Sequence, residues 1–218
     1  MLTLIEENYL KAMYHLSELD GLVSVNELSK HLNIKMPTVN SMMKKMAEKG
    51  LVIYESYKPL KLTDYGTITA ALIIRKHRLT EMYLVEKMGF SWDQVHDIAE
   101  QMEHINSSAF FDKMDELLDY PQFDPHGSPI PNKDGLVAKN DFFRLCAAHI
   151  GDEVVVRAVT NSTEDFLKYL SSKNIALGTK LYIIHKEDYD SSMIIRVNQL
   201  DIAMSSKITE KLLVNKKS

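Results

Sequence analysis

The amino-acid sequence predicts a mainly α-helical protein that ends in a small β-rich domain. Apolar residues recur at helical spacing through the first 120 residues, as at Tyr9 and Met13. Four of the six prolines then fall within residues 121–131, which is typical of a linker or an extended connection. Beyond this connection the chain contains β-branched runs such as 180–184. This order predicts helical domains first and a β-rich domain last.

Length and composition describe an ordinary folded protein. The 218 residues are 45% hydrophobic and 26% charged, so the chain can build one large or two small cores, and disorder is excluded as the main state. The single cysteine, Cys146, excludes a disulfide framework and a Cys-rich zinc module. The longest apolar run, 70–74, is too short to span a membrane, and Glu6 and Glu7 do not suit a secretory signal. We therefore expect a cytoplasmic protein.

Charge is distributed unevenly along the chain, although the formal net charge is only -4. Residues 35–61 contain six Lys and two Glu, whereas residues 81–119 contain ten acidic residues and two Lys. A basic segment followed by an acidic one indicates an anionic partner for the first and a cationic partner for the second. Two solvated helix faces would give the same counts, so charge alone leaves both interpretations open.

The basic segment follows the order helix, turn, helix, β-ribbon. Ser24 and Glu27 have the spacing of a capping box, which opens a short helix. Pro37 lies where proline is tolerated, in the first turn of the next helix. The β-like runs 51–54 and 60–63 then flank a hairpin. This order is a winged helix-turn-helix pattern, in which the second helix can enter a DNA major groove.

The second helix of this pattern carries side chains suited to DNA. Short polar groups can reach base edges, and Lys and hydroxyl groups neutralise or position phosphates. The candidate DNA-binding residues are Lys35, Pro37, Thr38, Asn40, Ser41, Lys44 and Lys45, with Lys58 at the wing tip. The opposite side is expected to be core and consists of Val39, Met42, Met43 and Met46. A helical hairpin that packs on its neighbours and binds nothing is the alternative.

The middle of the chain is predicted to form three helices, and the last part is predicted to be β-rich. Asp64 is expected to cap a long helix, and two further helices are expected from about Ser91 to Ile105 and from Ser108 to Leu118. The β-rich runs are 154–156, 180–184 and 193–197, with a short helical stretch at 164–170. We expect these runs to form a small β-barrel-like domain.

The acidic segment contains a cluster suited to a metal ion. On a helix, Glu100, Glu103 and His104 share one face, so two carboxylates and an imidazole converge. Close carboxylates repel each other unless they are protonated or bridged by a cation. His96 lies one turn before Glu100 on the same stripe. The spacing therefore indicates a divalent metal site.

The preceding long helix offers a second pair of ligands, His77 and Glu81, at i, i+4. A single pair of this kind is more often a surface ion pair, and a lone helix histidine is often structural. Two ligand-spaced groups on consecutive helices favour metal binding.

Several runs resemble the diphtheria-toxin-repressor family, a group of metal-dependent bacterial regulators that also includes the manganese-transport regulators. The matching runs are 7–10, 36–39, 75–81, 95–97, 103–104 and 125–131. The resemblance covers residues 3 to about 135, and the β-rich tail resembles the family's SH3-like, or FeoA-like, domain more loosely. It implies a winged helix-turn-helix domain at 1–63, a helical metal-binding and dimerisation domain at 64–135 and an SH3-like domain at 141–218.

The resemblance also implies particular metal ligands. One site would use Asn8, Glu100, Glu103 and His104. The other would use His77, Glu81 and His96. Some members take ligands from the proline-rich connection, where Asp124 and His126 stand, and the third domain would add an oxygen ligand at Glu164 or Asp165.

Two residues of the first helix depart from the family pattern. Position 8 is commonly Met or Asp, but here it is Asn8, a neutral oxygen donor. Manganese-type sites often have Glu three residues later, where this chain has Lys11. Both changes remove negative charge. One metal at the Asn8 site and a second at the outer site are therefore expected, rather than a two-metal cluster bridged through the first helix.

The donor set gives a weak indication of the metal. Iron-type members place Cys where this chain has Glu100, so only oxygen and imidazole donors remain. Such donors suit Mn²⁺ or Fe²⁺ better than Cu(I), and Zn²⁺ or other divalent ions would also bind them in vitro.

The predicted function is that of a homodimeric, metal-activated repressor that binds double-stranded DNA at a palindromic site and controls metal-uptake genes, with no membrane partner and no small organic substrate. The apolar dimer face is expected among Trp92, Ile98, Met102, Ile105, Phe110, Phe111 and Leu117. A metal-independent winged-helix regulator and a di-metal carboxylate enzyme are the alternatives. The enzyme would need two Glu-x-x-His motifs and two further glutamates on separate helices, which this chain lacks.

Overall fold

The computed structural model describes residues 2–17, 21–160 and 162–216. The helices are α1 (Leu4–Leu16), α2 (Val25–Leu32), α3 (Met36–Glu48), α4 (Asp64–Met88), α5 (His96–Met102), α6 (Ser108–Leu117), α7 (Glu164–Ser172) and α8 (Ser206–Thr209). The strands are β1 (Val52–Ile53), β2 (Lys61–Leu62), β3 (Phe143–Arg144), β4 (Glu153–Val159), β5 (Lys180–Lys186), β6 (Met193–Val197), β7 (Leu200–Met204) and β8 (Leu212–Lys216). None of the described helices is long and apolar enough to cross a lipid bilayer.

Helices α1 to α3 and the hairpin β1–β2 form a winged helix-turn-helix unit. Ser24 and Glu27 make the predicted capping box at the start of α2. Asn33 then ends α2 in the left-handed conformation and turns the chain into α3. The inner side of α3 is buried in a core shared with α1 and the hairpin. The opposite side of α3 is therefore left to solvent.

Helix α4 links this unit to the rest of the molecule. Its N-cap is Thr63, whose hydroxyl accepts a hydrogen bond from the Gly66 amide, so the prediction that Asp64 caps the helix is wrong by one residue. The start of α4 lies directly on the wing, because a Cβ at Gly66 would come within 2.0 Å of the Leu51 carbonyl oxygen. The helix ends at Gly89, which has a positive φ.

Helix α5 is shorter than the predicted helix of residues 91–105. Ser91 and Gln94 close a turn through Gln94 N–H to Ser91 O, 3.0 Å, and α5 begins only at His96. Within that turn, Trp92 contacts the β-rich domain and donates a hydrogen bond to the Ser171 hydroxyl, 3.1 Å. This contact holds the segment in a non-helical form. Helix α6 agrees with the prediction to within one residue.

The proline-rich connection crosses the surface of α4 and is held there by two arginines. Arg78 donates to the Pro129 carbonyl, 2.5 Å, and Arg75 donates to the Pro131 carbonyl, 2.7 Å. Arg75 also pairs with the buried carboxylate of Asp115 on α6. The connection is therefore an ordered part of the fold.

The β-rich domain is a six-stranded antiparallel sheet in the order β3-β8-β4-β5-β6-β7. Irregularities between Val156 and Ala158 and between Ile183 and His185 bend the sheet around its core. Helix α7 contributes Phe166, Leu167 and Leu170 to that core. The predicted fold class, mainly helical with a β-rich SH3-like tail, is confirmed.

Candidate metal centre

Carboxylates and imidazoles converge on one side of α4. Three groups bring their ligand atoms within 4.8 Å of one another: His77 with Glu81 and His96, His77 with Glu100 and Glu103, and Glu81 with Asp124 and His126. The groups share His77 and Glu81, so they form one continuous cluster. A cavity of about 490 Å³ opens beside it, where the three parts of the chain meet.

His77 is the centre of this cluster. Its Nδ1 lies 2.6 Å from Glu103 Oε2, and its Nε2 lies 3.0 Å from Glu81 Oε1. Burial alone would lower the pKa of His77, but the hydrogen bonds to Glu103 and Glu81 outweigh it and raise the pKa to about 9. The His77 ring therefore contacts Glu103 of one predicted ligand set and Glu81 of the other, and so joins the two sets.

Glu81 faces three imidazoles. Beside His77, its oxygens lie 3.3 Å from His96 Nδ1 and 3.5 Å from His126 Nδ1. Burial would raise the pKa of Glu81, but its bonds to His126, His77 and His96 hold the pKa well below its ordinary value. An ionised, fully enclosed carboxylate surrounded by imidazoles is a strong cation ligand.

The proline-rich connection supplies Asp124 and His126. The Asp124 side chain accepts the backbone amides of His126, 2.8 Å, and Ser128, 2.9 Å. Burial, and secondly the charge of Glu81, raise the pKa of Asp124. Because the negative charges of Asp124 and Glu81 repel each other, a cation bound between the two carboxylates would stabilise both in the ionised form.

His126 has one ring nitrogen fixed and the other directed into the cluster. Its Nε2 lies 2.7 Å from the carbonyl oxygen of Trp92, which can only accept, so Nε2 carries the proton. Its Nδ1 lies 3.5 Å from Glu81 Oε2; burial would lower the pKa of His126, but the interaction with Glu81 raises it. A histidine held in this way is prepared to ligate a metal.

His104 is fixed in the same way by a residue that the sequence did not suggest. Its Nδ1 lies 2.6 Å from a carboxylate oxygen of Glu7 on α1, and its Nε2 lies 3.8 Å from Glu103 Oε1. Glu7 therefore orients His104 so that Nε2 faces the cluster. The Asn8 side chain is exposed.

Glu100 and Glu103 are joined to α1 by Lys11. The Lys11 ammonium contacts Glu100 Oε1 and lies 2.8 and 2.9 Å from the two oxygens of Glu103. Burial would raise the pKa of Glu100, but Lys11 lowers it. The sequence marks Lys11 as a departure from the family pattern but does not reveal this contact.

The third domain contributes no carboxylate to the cluster among the described residues. Glu164 and Asp165 are both exposed at the start of α7, and Glu164 pairs with Lys168 of its own helix. Neither residue belongs to the three groups, and an oxygen ligand at either one stays a prediction. The edge of the cavity on that side is formed instead by Thr160 and Ser162.

The residues present fit a divalent metal ion. The donors are carboxylate oxygens and imidazole nitrogens from α4, α5 and the connection, and most of them are buried. Cys146 lies in the β-rich domain, where its carbonyl accepts from Lys186, and belongs to none of the three groups. A set of hard and intermediate donors without thiolate suits Mn²⁺ and Fe²⁺.

The residues proposed to read DNA lie together on the outer face of α3 and on the wing. The exposed members are Lys35, Pro37, Thr38, Ser41, Lys44, Lys45 and Lys58. Asn40 is half-buried and accepts a hydrogen bond from the Tyr54 hydroxyl of the hairpin, 3.4 Å. Lys58 pairs with Glu55 across the tip of the wing, 2.5 Å.

Helix α1 connects this DNA-facing helix to the metal cluster. The carboxylate of Glu6, which has no exposed surface, lies 2.7 Å from Lys49 Nζ and 3.3 Å from Lys45 Nζ at the end of α3. Burial would raise the pKa of Glu6, but hydrogen bonds from Lys49, the Thr3 amide and Lys45 lower it to about 2. The adjacent Glu7 holds His104. One turn of α1 therefore contacts both functional regions.

The apolar residues expected at a dimer face differ in their burial. Phe111 is buried in a small core with Leu79 and Met114, and Trp92 packs against the β-rich domain. Ile98 and Met102 are half-buried, and the exposed members are Ile105, Phe110 and Leu117. These three are the part of the set that is free to meet a second subunit.

Three family models match successive parts of the chain. They are the iron dependent repressor N-terminal DNA binding domain at residues 1–60, the iron dependent repressor metal binding and dimerisation domain at 63–132, and the FeoA domain at 143–216. They follow the order of the winged unit, the metal cluster and the β-rich sheet.

Curated relatives agree with these matches. The chain is 31% identical over 169 residues to the iron-dependent repressor IdeR of Mycobacterium leprae, an alignment that covers 73% of each protein. It is 30% identical over 192 residues to the diphtheria toxin repressor of Corynebacterium efficiens, covering 83% of each. These relatives are transcriptional repressors rather than enzymes, so the di-metal enzyme alternative is set aside.

Solved structures give the same result. A manganese-dependent transcriptional repressor in complex with manganese superposes with a TM-score of 0.88 at 30% identity, covering 97% of this chain and 100% of that one. ScaR with bound Zn²⁺ has a TM-score of 0.82 at 29% identity, covering 97% and 99%. The chain therefore belongs to the iron-dependent repressor family, which includes the diphtheria toxin repressor, as the sequence motifs predicted.

Proposed function

We propose that this protein is a homodimeric transcriptional repressor that binds operator DNA when its acidic cluster holds Mn²⁺ or Fe²⁺, and that it controls metal-uptake genes. The observation that carries this proposal is the convergence of the donor set on α1. The carboxylates and imidazoles of α4 and of the segment around α5 lie against α1. Through Glu6, α1 also contacts the end of α3, the DNA-facing helix.

The ligands proposed for the metal fall into an inner and an outer set. The inner set is Glu100, Glu103 and His104, with Asn8 on the exposed side of α1 as a further predicted donor. The outer set is His77, Glu81 and His96, together with Asp124 and His126, and His77 also lies within reach of Glu100 and Glu103. A bound ion would supply positive charge to carboxylates that otherwise repel one another.

The residues of the chain itself would transmit the effect. Glu7 joins α1 to His104 just beyond α5, and Glu6 joins α1 to Lys45 and Lys49 at the end of α3, so the position of α1 sets the tilt of the DNA-facing helix. In a dimer, the tilt and separation of two such helices decide whether both can enter successive major grooves. Metal and DNA are therefore coupled and bind cooperatively, typically by about 5- to 150-fold.

The proposed DNA target is a palindromic duplex. A two-fold symmetric dimer presents two identical reading helices, which match inverted half-sites about one helical turn apart or a multiple of it. On each subunit the contacts would come from Lys35, Pro37, Thr38, Asn40, Ser41, Lys44, Lys45 and Lys58. Manganese and iron are supported by the donor set and by the metals named for the related repressors.

The test is a selection of duplexes from a random library by the protein in Mn²⁺, followed by DNA-binding anisotropy across Mn²⁺, Fe²⁺, Zn²⁺ and chelator. We expect inverted repeats to be selected, and DNA binding to be about 5- to 150-fold tighter with metal than in chelator. Glu103→Gln should abolish the metal response, whereas Glu116→Gln, which changes an exposed carboxylate of α6 paired with Lys113, should keep it. Selected sequences without symmetry would contradict the palindromic target, and an unchanged metal response in Glu103→Gln would contradict the proposed site.

A further inference from the structure

Lys11 occupies a position inside the proposed metal cluster. Its side chain is 13% exposed, and its ammonium lies between the carboxylates of Glu100 and Glu103. Three oxygens accept from this one ammonium, two of them on the fully buried Glu103. A lysine enclosed by two carboxylates is a cation site that the chain fills with its own side chain.

A divalent ion would need the same oxygens. Glu103 Oε2 already receives His77 Nδ1 at 2.6 Å, so the oxygens of this carboxylate are shared between one ammonium and one imidazole. Glu100 Oε1 is contacted by Lys11 and lies 3.8 Å from His96 Nε2. Among the described residues, no Lys or Arg side chain other than Lys11 forms a salt bridge with these two glutamates.

We propose that Lys11 is a built-in competitor of the metal ion, which occupies the carboxylates of Glu100 and Glu103 and so sets the metal concentration at which the protein responds. The inference rests on the proposed function, because it concerns the regulation of the same site. The ammonium and the ion exclude each other on shared oxygens, and every ion that enters displaces Lys11. Without Lys11, the affinity for a divalent ion is higher.

The structure provides a place for the displaced side chain. Lys11 lines the cavity beside the cluster, together with His15 and Asn140, and lysine has a flexible four-carbon stem. Removing the ammonium from the cluster requires no movement of the α1 backbone. The exchange therefore replaces the Lys11 contacts with Glu100 and Glu103 by contacts with the ion, and it leaves the Glu7–His104 contact between α1 and the residue just beyond α5 in place.

Mutation of Lys11 tests the competition directly, with Mn²⁺ affinity measured by isothermal titration calorimetry on the full chain. We expect Lys11→Gln to bind Mn²⁺ about tenfold more tightly, because the ion no longer has to break a charge-assisted hydrogen bond to reach the carboxylates. Lys11→Arg keeps the charge and should gain no affinity. Lys76→Gln is the matched control, because Lys76 lies next to His77 in sequence but donates to the Ile105 carbonyl; its affinity should stay at the wild-type value.

A second measurement needs no variant and stays informative if Lys11→Gln does not fold. Lysine acetylation of the wild-type protein is followed residue by residue by mass spectrometry, in chelator and in saturating Mn²⁺. We expect acetylation of Lys11 to be slow in chelator and to rise severalfold in Mn²⁺, with Lys76 unchanged.

The outcomes separate this inference from the proposed function. Equal or weaker Mn²⁺ binding by Lys11→Gln, or a Lys11 acetylation rate that does not rise with Mn²⁺, overturns the competitor role while wild-type metal binding stands. If Glu103→Gln gives the same Mn²⁺ isotherm as the wild-type protein, the ion does not bind at this cluster, and both proposals fall together.

Discussion

At the scale of single residues, the histidines of the cluster are prepared by their partners. Glu7 accepts a hydrogen bond from His104 Nδ1–H, and the Trp92 carbonyl accepts one from His126 Nε2–H, so the other nitrogen of each ring faces the cluster. Such partners usually change metal affinity when they are removed, even though they touch no metal.

Replacement of Glu7 tests this role. Glu7→Ala should weaken Mn²⁺ binding by about 10- to 100-fold, because His104 loses the acceptor that fixes its tautomer and orientation. Titration calorimetry measures the change, and Glu86→Ala, an exposed acid on α4, is the control of equal charge. If Glu7→Ala binds Mn²⁺ as tightly as the wild-type protein, the hydrogen bond from His104 to Glu7 does not contribute to metal binding.

The neighbouring Glu6 contributes to stability rather than to ligation. Its pKa of about 2 lies below the ordinary value of 4.5, so its stabilising effect is complete above pH 4.5 and is lost as the pH falls through about 2. Glu6 is covered by two partly exposed lysines rather than by deep core, so solvent screening reduces the energy. Glu6→Gln should lower the free energy of unfolding by about 1–2 kcal/mol at pH 7.

Urea denaturation at pH 7 and at pH 2.5 checks this expectation. The difference between wild-type protein and Glu6→Gln should shrink at the lower pH, because the stabilising effect of the ionised carboxylate is then largely lost. Glu48→Gln on the exposed end of α3 should match wild type at both values. A difference that is independent of pH would show that charge is not the cause.

The residue types at the site could be predicted, but not all of their partners. Helical spacing alone places Glu100, Glu103 and His104 on one face, and it relates His77 to Glu81. The contacts of Glu7 and Lys11 depend on how α1 packs against α5, about ninety positions later in the chain, and no local pattern reports that packing. For the same reason the exposed position of Asn8 could not be foreseen.

At the scale of elements, α3 carries the face that we propose meets DNA. Its inner residues Val39, Met43 and Met46 are buried, which fixes the rotation of the helix and turns the polar residues outward. Lys44 is exposed on that outer face. Phosphate contacts of this kind add affinity without sequence preference.

Lys44→Ala should therefore weaken DNA binding by a similar factor for all duplex sequences. The slope of log K against log salt should become shallower by about 0.9 for each phosphate that the variant no longer neutralises. Anisotropy titrations over a range of salt concentrations give the slope, and Lys207→Ala in the β-rich domain is the control. A changed sequence preference with an unchanged slope would place Lys44 on a base edge instead.

Elements with local signals were predicted well, and those held by distant contacts were not. The capping box of α2, the proline at the start of α3 and the extent of α6 are all encoded nearby. The segment before α5 reads as helix from its periodicity, but Trp92 is held in the β-rich domain and the helix starts late. The sheet order β3-β8-β4-β5-β6-β7 also depends on pairing between distant strands.

At the scale of the whole molecule, the proline-rich connection joins the β-rich domain to the metal cluster. The His126 carbonyl accepts a hydrogen bond from the Val159 amide of β4, 2.9 Å. Gly127 fits against the same strand with a φ of 83°, and a Cβ there would lie 2.0 Å from the Arg157 carbonyl oxygen. A residue proposed as a ligand is thus fixed by the third domain, although that domain offers no carboxylate of its own there among the described residues.

The proposed dimer depends on the exposed apolar residues of α6 and the turn before it. Phe110→Asp should weaken self-association by about 30-fold or more, as expected when a charge enters the centre of an apolar contact. Sedimentation equilibrium measures the change, and Leu200→Asp, at an exposed apolar position of β7, is the control. A dimer of wild-type strength in Phe110→Asp would place the interface elsewhere.

The central claim is that metal held by the acidic cluster switches on DNA binding, and the affinity for one selected duplex, measured in chelator and in saturating Mn²⁺ or Fe²⁺, tests it most directly. We predict that the dissociation constant falls by about 5- to 150-fold when metal is added. Equal dissociation constants in chelator and in metal would contradict the account.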